Sequence, residues 1–513
     1  MTAEHAELAA RAAATHVVVI GGGIGGLIAA RECAKVGMQV TLLEGSDALG
    51  GSIRAAELDG VRVDAGAESF ATRGGHVRAL LDELGLSDRV EAPAAGGAWL
   101  AGIPGVGAAP LPVGGILGIP ANPFQEDVRR VIGWSGAWRA YLDRVRPPLT
   151  IGHQHSLGRL VASRMGRKVR DRLVAPVTTG VYSASPEDVD VDIAAPGLNA
   201  ALTRVGSLTG AVQALRDESA ARASQNPGTA AKAPGAAVEG IVGGMTVLVD
   251  ALEADLVRLG AVVRTRTRAL SVSDTGGSWR LETETARDAV PGADPEANDP
   301  APPDATPPVD ELVADALIVA TDEAAARRLL DAAVPKLRES AAEADAPEIE
   351  IVTLLLDARV LDTAPRGTGV LTVPGSHTAK ALTHSTAKWR WLREAAGDRH
   401  LVRVSFGAQG EAPATAALDD EAAAQLALAE ASALLGVPLP GSALLASHRS
   451  RYVQSQPASI IGAGERRTSA RAAVQAVAGL AAVGAWLSGT GLAQVIPDAR
   501  DEADRLRRTL IWE

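Results

Sequence analysis

The chain contains a single cysteine, Cys33, among 513 residues. That excludes an internal disulfide framework, a CxxC redox pair and a cysteine-based zinc finger. Lysine is scarce, six of the 50 basic residues, a skew that reflects GC-rich coding and says nothing of the chemistry. Positive charge is in deficit: 50 Lys plus Arg stand against 61 Asp plus Glu, a formal net charge of -11. This argues against a protein that holds nucleic acid by neutralising phosphates. Aromatic residues make up only 3%. A membrane-spanning run is also missing. The longest uncharged stretch, 92–125, holds six prolines and eight glycines, which would break a spanning helix, and it predicts strands and turns lining something. The opening MTAEHAELAARAAA carries acids and no apolar core, unlike a secretory signal, so the expectation is a cytoplasmic protein.

Apolar residues are plentiful at 47%, enough for sizeable cores, and the length suggests roughly two to four domains. The first informative segment reads strand, turn, helix, strand. His16 to Ile20 is a buried parallel strand by its unbroken apolar run. Gly21-Gly22-Gly23-Ile24-Gly25-Gly26 follows, then a helix-period stretch, then a second strand, Gln39 to Leu43, closed by Glu44. In Gly21-x-Gly23-x-x-Gly26 each glycine has a task. Gly21 allows the tight turn, Gly23 lets backbone N–H groups approach a pyrophosphate, and Gly26 lets the helix pack on the strand. The helix N-terminus adds partial positive charge. Glu44 can accept hydrogen bonds from a ribose diol and would repel a 2′-phosphate. The turn by itself suits either NAD or FAD.

Farther along come Leu49-Gly50-Gly51-Ser52-Ile53-Arg54 and Val63-Asp64-Ala65-Gly66-Ala67-Glu68-Ser69-Phe70, and near the end Gly484-Ala485-Trp486-Leu487-Ser488-Gly489-Thr490-Gly491-Leu492. Together with the glycine turn this succession resembles the flavin amine oxidase and protoporphyrinogen oxidase superfamily. The resemblance implies FAD as cofactor. Besides the residues of the turn, Glu44 and Gly45, it places Gly50, Gly51, Ser52, Gly66, Ala67, Glu68, Ser69, Ala269, Tyr452, Gly489, Thr490, Gly491 and Leu492 against the cofactor. No second complete GxGxxG occurs, which favours an oxidase or desaturase over a nicotinamide-reduced monooxygenase.

Further segments are similar to one branch, the coproporphyrinogen III and protoporphyrinogen IX oxidases of heme synthesis. They include Ala175-Pro176-Val177-Thr178-Thr179-Gly180-Val181-Tyr182, Val242-Gly243-Gly244-Met245, Ala379-Lys380-Ala381-Leu382, Lys388-Trp389 and Val404-Ser405-Phe406-Gly407. The Lys388-Trp389 surroundings look most like Gram-positive enzymes that oxidise coproporphyrinogen III. The resemblance implies a six-electron aromatisation in three two-electron passes, with O2 reduced to H2O2, and a ferrochelatase as pathway partner. It sets Gly180 beside substrate and flavin, where a side chain would push the macrocycle away. Lys388 and Arg403 are candidates to bind propionates, the alternative being solvated surface charge. Trp389, Trp391 and Phe406 would wall the ring or fill the core. His153-Gln154-His155 lacks an accompanying carboxylate or cysteine cluster and is read as loop histidines without a metal. Cys33 is read as a core residue. The same chemical class leaves an amine oxidase or desaturase as alternative, although an aromatic amine cage would need more than three Tyr and three Phe. A different class leaves an FAD-binding protein without turnover.

The expected architecture is α/β: a Rossmann-like FAD lobe from 1–79, 236–321 and 449–513, and a mixed-sheet substrate lobe from 80–111 and 322–448. A helical insertion, 112–235, joins them. Some relatives dock such an insertion on a membrane; here Arg164, Arg167, Lys168, Arg170 and Arg172 point to soluble or peripheral behaviour. Residues 216–238 and 291–310 read as flexible inserts, the latter with seven prolines and five acids. It forms a long hairpin tip between strands at Ser278 to Thr283 and Ala316 to Ala320. The family's Tyr and His after Pro457 are missing, Thr321-Asp322 replaces Thr-Pro or Ala-Pro, and Pro497 predicts a last helix that is kinked or starts late.

Overall fold

The computed structural model describes residues 3–146, 155–225, 238–286, 309–340, 346–453 and 459–512. A five-stranded parallel sheet, in the order Val262–Arg264, Gln39–Leu43, His16–Ile20, Ala316–Val319, Leu480–Ala482, lies at one end. Its central strands are buried on both faces, which is why they read as unbroken apolar runs. The helix Ile24–Ala34 is buried almost all round, so its sequence is apolar on every side rather than striped. It packs between the sheet, the helix Thr246–Arg258 and the C-terminal helix Leu492–Ile511. Cys33 is part of that core at 0% exposure, and burial pushes its thiol up to about 12.

A seven-stranded sheet forms the second layer, in the order Leu444–Val453, Glu348–Leu356, His400–Phe406, Ala381–His384, Gly369–Thr372, Ala98–Ile103, Gly107–Pro110. All neighbours are antiparallel except Gly369–Thr372 with Ala98–Ile103. The strand period of two sorts its residues. Val352, Leu354, Leu382, Val402, Val404 and Phe406 turn to one face and pack with the helix Asp420–Leu435. The alternate positions, Thr353, Thr383 and Arg403, are register partners on the opposite face. A polar face there is what a binding surface needs. Phe406 thus belongs to the core, as does Trp389, 1% exposed and packed against the Gly240 backbone.

Between the two sheets in sequence come the helices Glu126–Tyr141, Leu157–Met165, Ala175–Tyr182, Leu198–Val205 and Leu208–Gln225, joined in one apolar cluster. Two sequence readings need correction here. The segment 216–225 continues the helix Leu208–Gln225, because its Ala- and Arg-rich composition favours helix; the rest of that proposed insert lies outside the described residues. Second, Trp279–Thr285 pairs with Val309–Ala314, not with Ala316–Val319, which joins the parallel sheet. The register of Val309–Ala314 against Trp279–Thr285 defines this strand, and 291–308 lie outside the described residues.

Two departures also resolve. Asp322 caps the helix Glu323–Leu330, its Oδ1 accepting from the Ala325 N–H at 2.8 Å, so it replaces proline with an ordinary cap. The last helix begins at Leu492 and runs through Pro497 to Ile511; it does not start late. Pro497 removes one N–H donor, but Val495, Ile496 and Ala499 bury beside it, and that packing holds the turn. Among the described residues no helix is long and apolar enough to cross a membrane.

Candidate active site

The glycine turn assembles as its sequence requires. Gly21 sits at φ +110°, where a Cβ would lie 2.6 Å from the Ala320 carbonyl oxygen. A Cβ on Gly26 would overlap the Gly21 carbonyl oxygen, and one on Gly25 would come 3.3 Å from Gly484. Gly21 and Gly26 are demanded by the protein's own backbone, and Gly25 sits a few tenths of an ångström too close to Gly484 for an easy side chain. Gly23 is different. Its φ of -69° and ψ of 171° suit any residue, and a Cβ there would meet nothing within 4 Å. Neither conformation nor packing calls for glycine at this position, so an open cradle stands above it. Gly50 and Gly51 border that cradle: the Gly50 N–H donates to the Gly22 carbonyl at 2.9 Å, and Gly23 and Gly50 form a parallel bridge.

No side chain caps the helix Ile24–Ala34 above Gly23, nor the helix Leu492–Ile511 above Gly491. Two bare N-termini thus carry unsatisfied N–H groups and partial positive charge, the arrangement that receives an anionic ligand. Glu44 follows the second strand; its carboxylate accepts from the Gly22 N–H at 2.7 Å and from the Ser46 N–H at 2.8 Å. Gly45 lies beside Arg268, and Thr267 N–H donates to the Glu44 carbonyl, which brings Ala269 to the same edge of the sheet. The residues therefore fit a dinucleotide: a cradle for the pyrophosphate, two helix N-termini and a carboxylate for a diol.

The segment 64–69 links this cradle to the seven-stranded sheet. Asp64 Oδ1 accepts from the Met245 N–H at 2.8 Å, a contact that glycine at 244, φ +95°, makes room for. Burial pushes Asp64 up to about 6, the Met245 N–H pulling the other way. Glu68 is the centre of an ion cluster. Lys388 Nζ donates to its Oε1 at 2.5 Å and Arg403 Nη1 to its Oε2 at 2.9 Å. Burial would raise the Glu68 carboxyl, but the two cations outweigh it and hold it at about 2. Arg403 also donates to the carbonyl of Gly66. Ser52 lies across from Gly66, whose absent side chain admits both the Ser52 carbonyl and the Tyr452 hydroxyl.

Lys388 and Arg403 are therefore not solvated surface charges: their side chains are 17% and 8% exposed. Both are engaged by Glu68. Asp64, which interacts with both Arg403 and Glu68, adds a second carboxylate, so above about pH 6 the cluster is close to neutral. Tyr452 lines a cleft of about 680 Å3 with Leu49, Ile53, Arg54 and Ala65. At the chain end Gly489 adopts φ +109°, Thr490 is exposed, and Gly491 and Leu492 are half-buried. Ala67 and Ser69 lie on the same 64–69 segment.

Gly180 is in the helix Ala175–Tyr182, not in a turn. A Cβ there would lie 2.5 Å from Leu371 Cδ2, so the helix approaches the strand Gly369–Thr372 closely. The sequence reading gives Lys380 no role beyond its place in the family-like segment 379–382; its Nζ donates to Ser183 Oγ at 2.7 Å at the end of the Gly180 helix. Nothing local distinguishes it from a surface lysine. His155, with Asp190 and Asp192, forms a group whose ligand atoms lie within 4.8 Å of one another; His153 and Gln154 are outside the described residues, as are 454–458, including Pro457.

The model for flavin containing amine oxidoreductases matches residues 24–507. The chain is 30% identical over 417 residues to the coproporphyrinogen III oxidase of Mycobacterium tuberculosis (strain ATCC 25618 / H37Rv), covering 79% of each. It is 28% identical over 518 residues to that of Propionibacterium freudenreichii subsp. freudenreichii, covering 96% of this chain and 90% of the relative. In three dimensions it resembles a protein from Exiguobacterium sp. 255-15, provisionally described as a protoporphyrinogen oxidase, with TM-score 0.76 at 22% identity over 96% of this chain and 98% of the other. With the cradle above Gly23 and a family match over nearly its whole length, the chain belongs to the flavin containing amine oxidoreductases and is an FAD-dependent oxidoreductase.

Proposed function

We propose that the protein oxidises coproporphyrinogen III to coproporphyrin III, six electrons in all, with three O2 reduced to three H2O2. The observation that carries this reading is the uncompensated ammonium of Lys380, partly buried at the end of the Gly180 helix. Lys388 and Arg403 are balanced by Glu68 and Asp64, whereas Lys380 has no acidic partner among the described residues. A polycarboxylate substrate matches that balance, whereas an amine would be repelled. The two relatives named coproporphyrinogen III oxidase support the same substrate.

FAD, when bound, supplies the hydride acceptor. The chain's own residues position and shield. Gly21 to Gly26 with Gly50 and Gly51 leave room for the pyrophosphate, and Glu44 offers acceptor oxygens to a ribose. Arg403 ties the 64–69 segment to the sheet through Glu68 and the Gly66 carbonyl, which holds the cofactor side of the site against the substrate side. The helix containing Gly180 and the strand containing Leu371 close one wall and keep water from the reacting carbon. No side chain needs to act as a base. The product is a porphyrin awaiting metal, so a ferrochelatase is the natural recipient.

The test is a parallel assay on FAD-loaded protein, supplied with coproporphyrinogen III or protoporphyrinogen IX, with porphyrin fluorescence followed against an enzyme-free control. Faster turnover of the tetracarboxylate is expected. A preference for protoporphyrinogen IX would move the substrate to the dicarboxylate, and fluorescence no faster than the control would refute the reading.

A further inference from the structure

We propose that Lys380, steadied by Ser183 at the end of the Gly180 helix, receives a carboxylate of the substrate; this rests on the porphyrinogen reading above and names the residue that reads the acid.

Lys380 directly precedes the strand Ala381–His384, and its N–H donates to the Ser405 carbonyl. Ala381 is the register partner of Leu371, and Leu371 is the residue against which Gly180 packs. Backbone pairing therefore places Lys380 beside the wall formed by Gly180 and Leu371. Its side chain turns to the helix end, where Nζ donates to Ser183 Oγ at 2.7 Å. Ser183 is held there by its own backbone: its N–H donates to the Thr179 carbonyl at 3.1 Å, and its carbonyl accepts from Gln409 N–H at 2.8 Å. It adopts φ +55°, a left-handed conformation that serine seldom takes.

The ammonium lacks an acid. Some low-exposure arginines face carboxylates, Arg31 with Glu83 and Asp255, Arg164 with Asp143 and Arg449 with Glu350, while Arg366 is satisfied by the Ala433 and Leu434 carbonyls. No carboxylate lies within ion-pair distance of Lys380 among the described residues. Burial lowers it to about 8, the behaviour of a cation taken from water without compensation. A hydroxyl satisfies one of its three donors and leaves two. An incoming carboxylate supplies both the missing charge and the missing acceptors. The competing account is purely structural: a cation near a helix C-terminus favours the helix dipole. The two accounts differ in what a substitution changes.

The experiment compares the wild-type holoenzyme with Lys380→Met and Lys380→Arg on coproporphyrinogen III, alongside FAD content, thermal midpoint and quenching of coproporphyrin III fluorescence on binding. Loss of one charge-assisted contact should raise KM and weaken coproporphyrin III binding by about ten- to a hundred-fold. kcat should stay within about two-fold, since the contact holds substrate and transition state alike. Lys380→Arg should recover most of the affinity. If Lys380→Met leaves KM and porphyrin binding unchanged while the wild type turns over, the assignment of Lys380 is wrong and the porphyrinogen reading stands. A lowered thermal midpoint with no KM change, restored by Lys380→Arg, would make it a helix-end cation only. A wild type that does not oxidise coproporphyrinogen III would overturn both.

Discussion

The glycine turn allows a paired test, because its glycines are present for different reasons. Gly23→Val adds a side chain to open space: no atom lies within 4 Å of its Cβ, and φ is -69°. The apo-protein should therefore lose only the weak capping preference, about 1 kcal/mol. FAD binding should suffer far more. Two backbone N–H groups kept from charged pyrophosphate oxygens would cost about 3 to 6 kcal/mol, or a hundred-fold or more in Kd. Gly26→Ala inverts the pattern. Its Cβ would overlap the Gly21 carbonyl oxygen and press on the Ala320 side chain at 3.0 Å, so the helix must shift from the strand, at about 3 kcal/mol or more. The assay is flavin absorbance per mole of purified protein together with thermal unfolding of the apo-form. Gly23→Val should be colourless and near wild type in stability; Gly26→Ala should be poorly folded. A Gly23→Val protein carrying stoichiometric flavin would refute the reasoning.

Glu68→Gln should destabilise the protein by about 3 kcal/mol at neutral pH, because the carboxyl is held at about 2 rather than 4.5. The lowered value means this stability is complete above about 4.5 and is lost as pH falls toward 2. Acid unfolding of the variant should lack that component, and superimposable curves would contradict the ion cluster. Gly180→Leu should retain FAD but lose turnover, since the Leu371 side chain 2.5 Å from a Cβ can turn aside for one methyl but not for a whole leucine, which would fill the wall; full activity would remove Gly180 from the wall. Asp322→Ala should lower stability by about 1 kcal/mol through its lost cap, read as a fall in thermal midpoint that Asp322→Ser largely restores. Cys33 should resist thiol reagents in the native state and react on unfolding, given full burial and a thiol near 12.

The dinucleotide turn was readable because its requirements are local: Gly21, Gly23 and Gly26 act within one strand, one turn and one helix. The Glu68 cluster was not. Glu68 lies 320 residues from Lys388 and 335 from Arg403, and no periodicity reports a pairing across that span. The motif around 64–69 and the cations were each visible, but not their mutual neutralisation. Lys380 is a similar case, since its burial depends on a helix some 197 residues away. The strand Val309–Ala314 was not legible because VDELVA has its apolar residues at 309, 312, 313 and 314, without period-two alternation, and only its register with Trp279–Thr285 reveals it. Gly180 was marked by resemblance alone; the side chain it packs against, Leu371, lies across the fold.

The most direct measurement is anaerobic. Oxidised holo-protein is mixed with coproporphyrinogen III in the absence of O2, and the visible flavin absorbance is followed. The account predicts bleaching as each flavin takes two of the substrate's six electrons, and, when O2 is admitted, return of the colour, release of H2O2 and completion of the porphyrin. Flavin that stays oxidised in the presence of the porphyrinogen would contradict it.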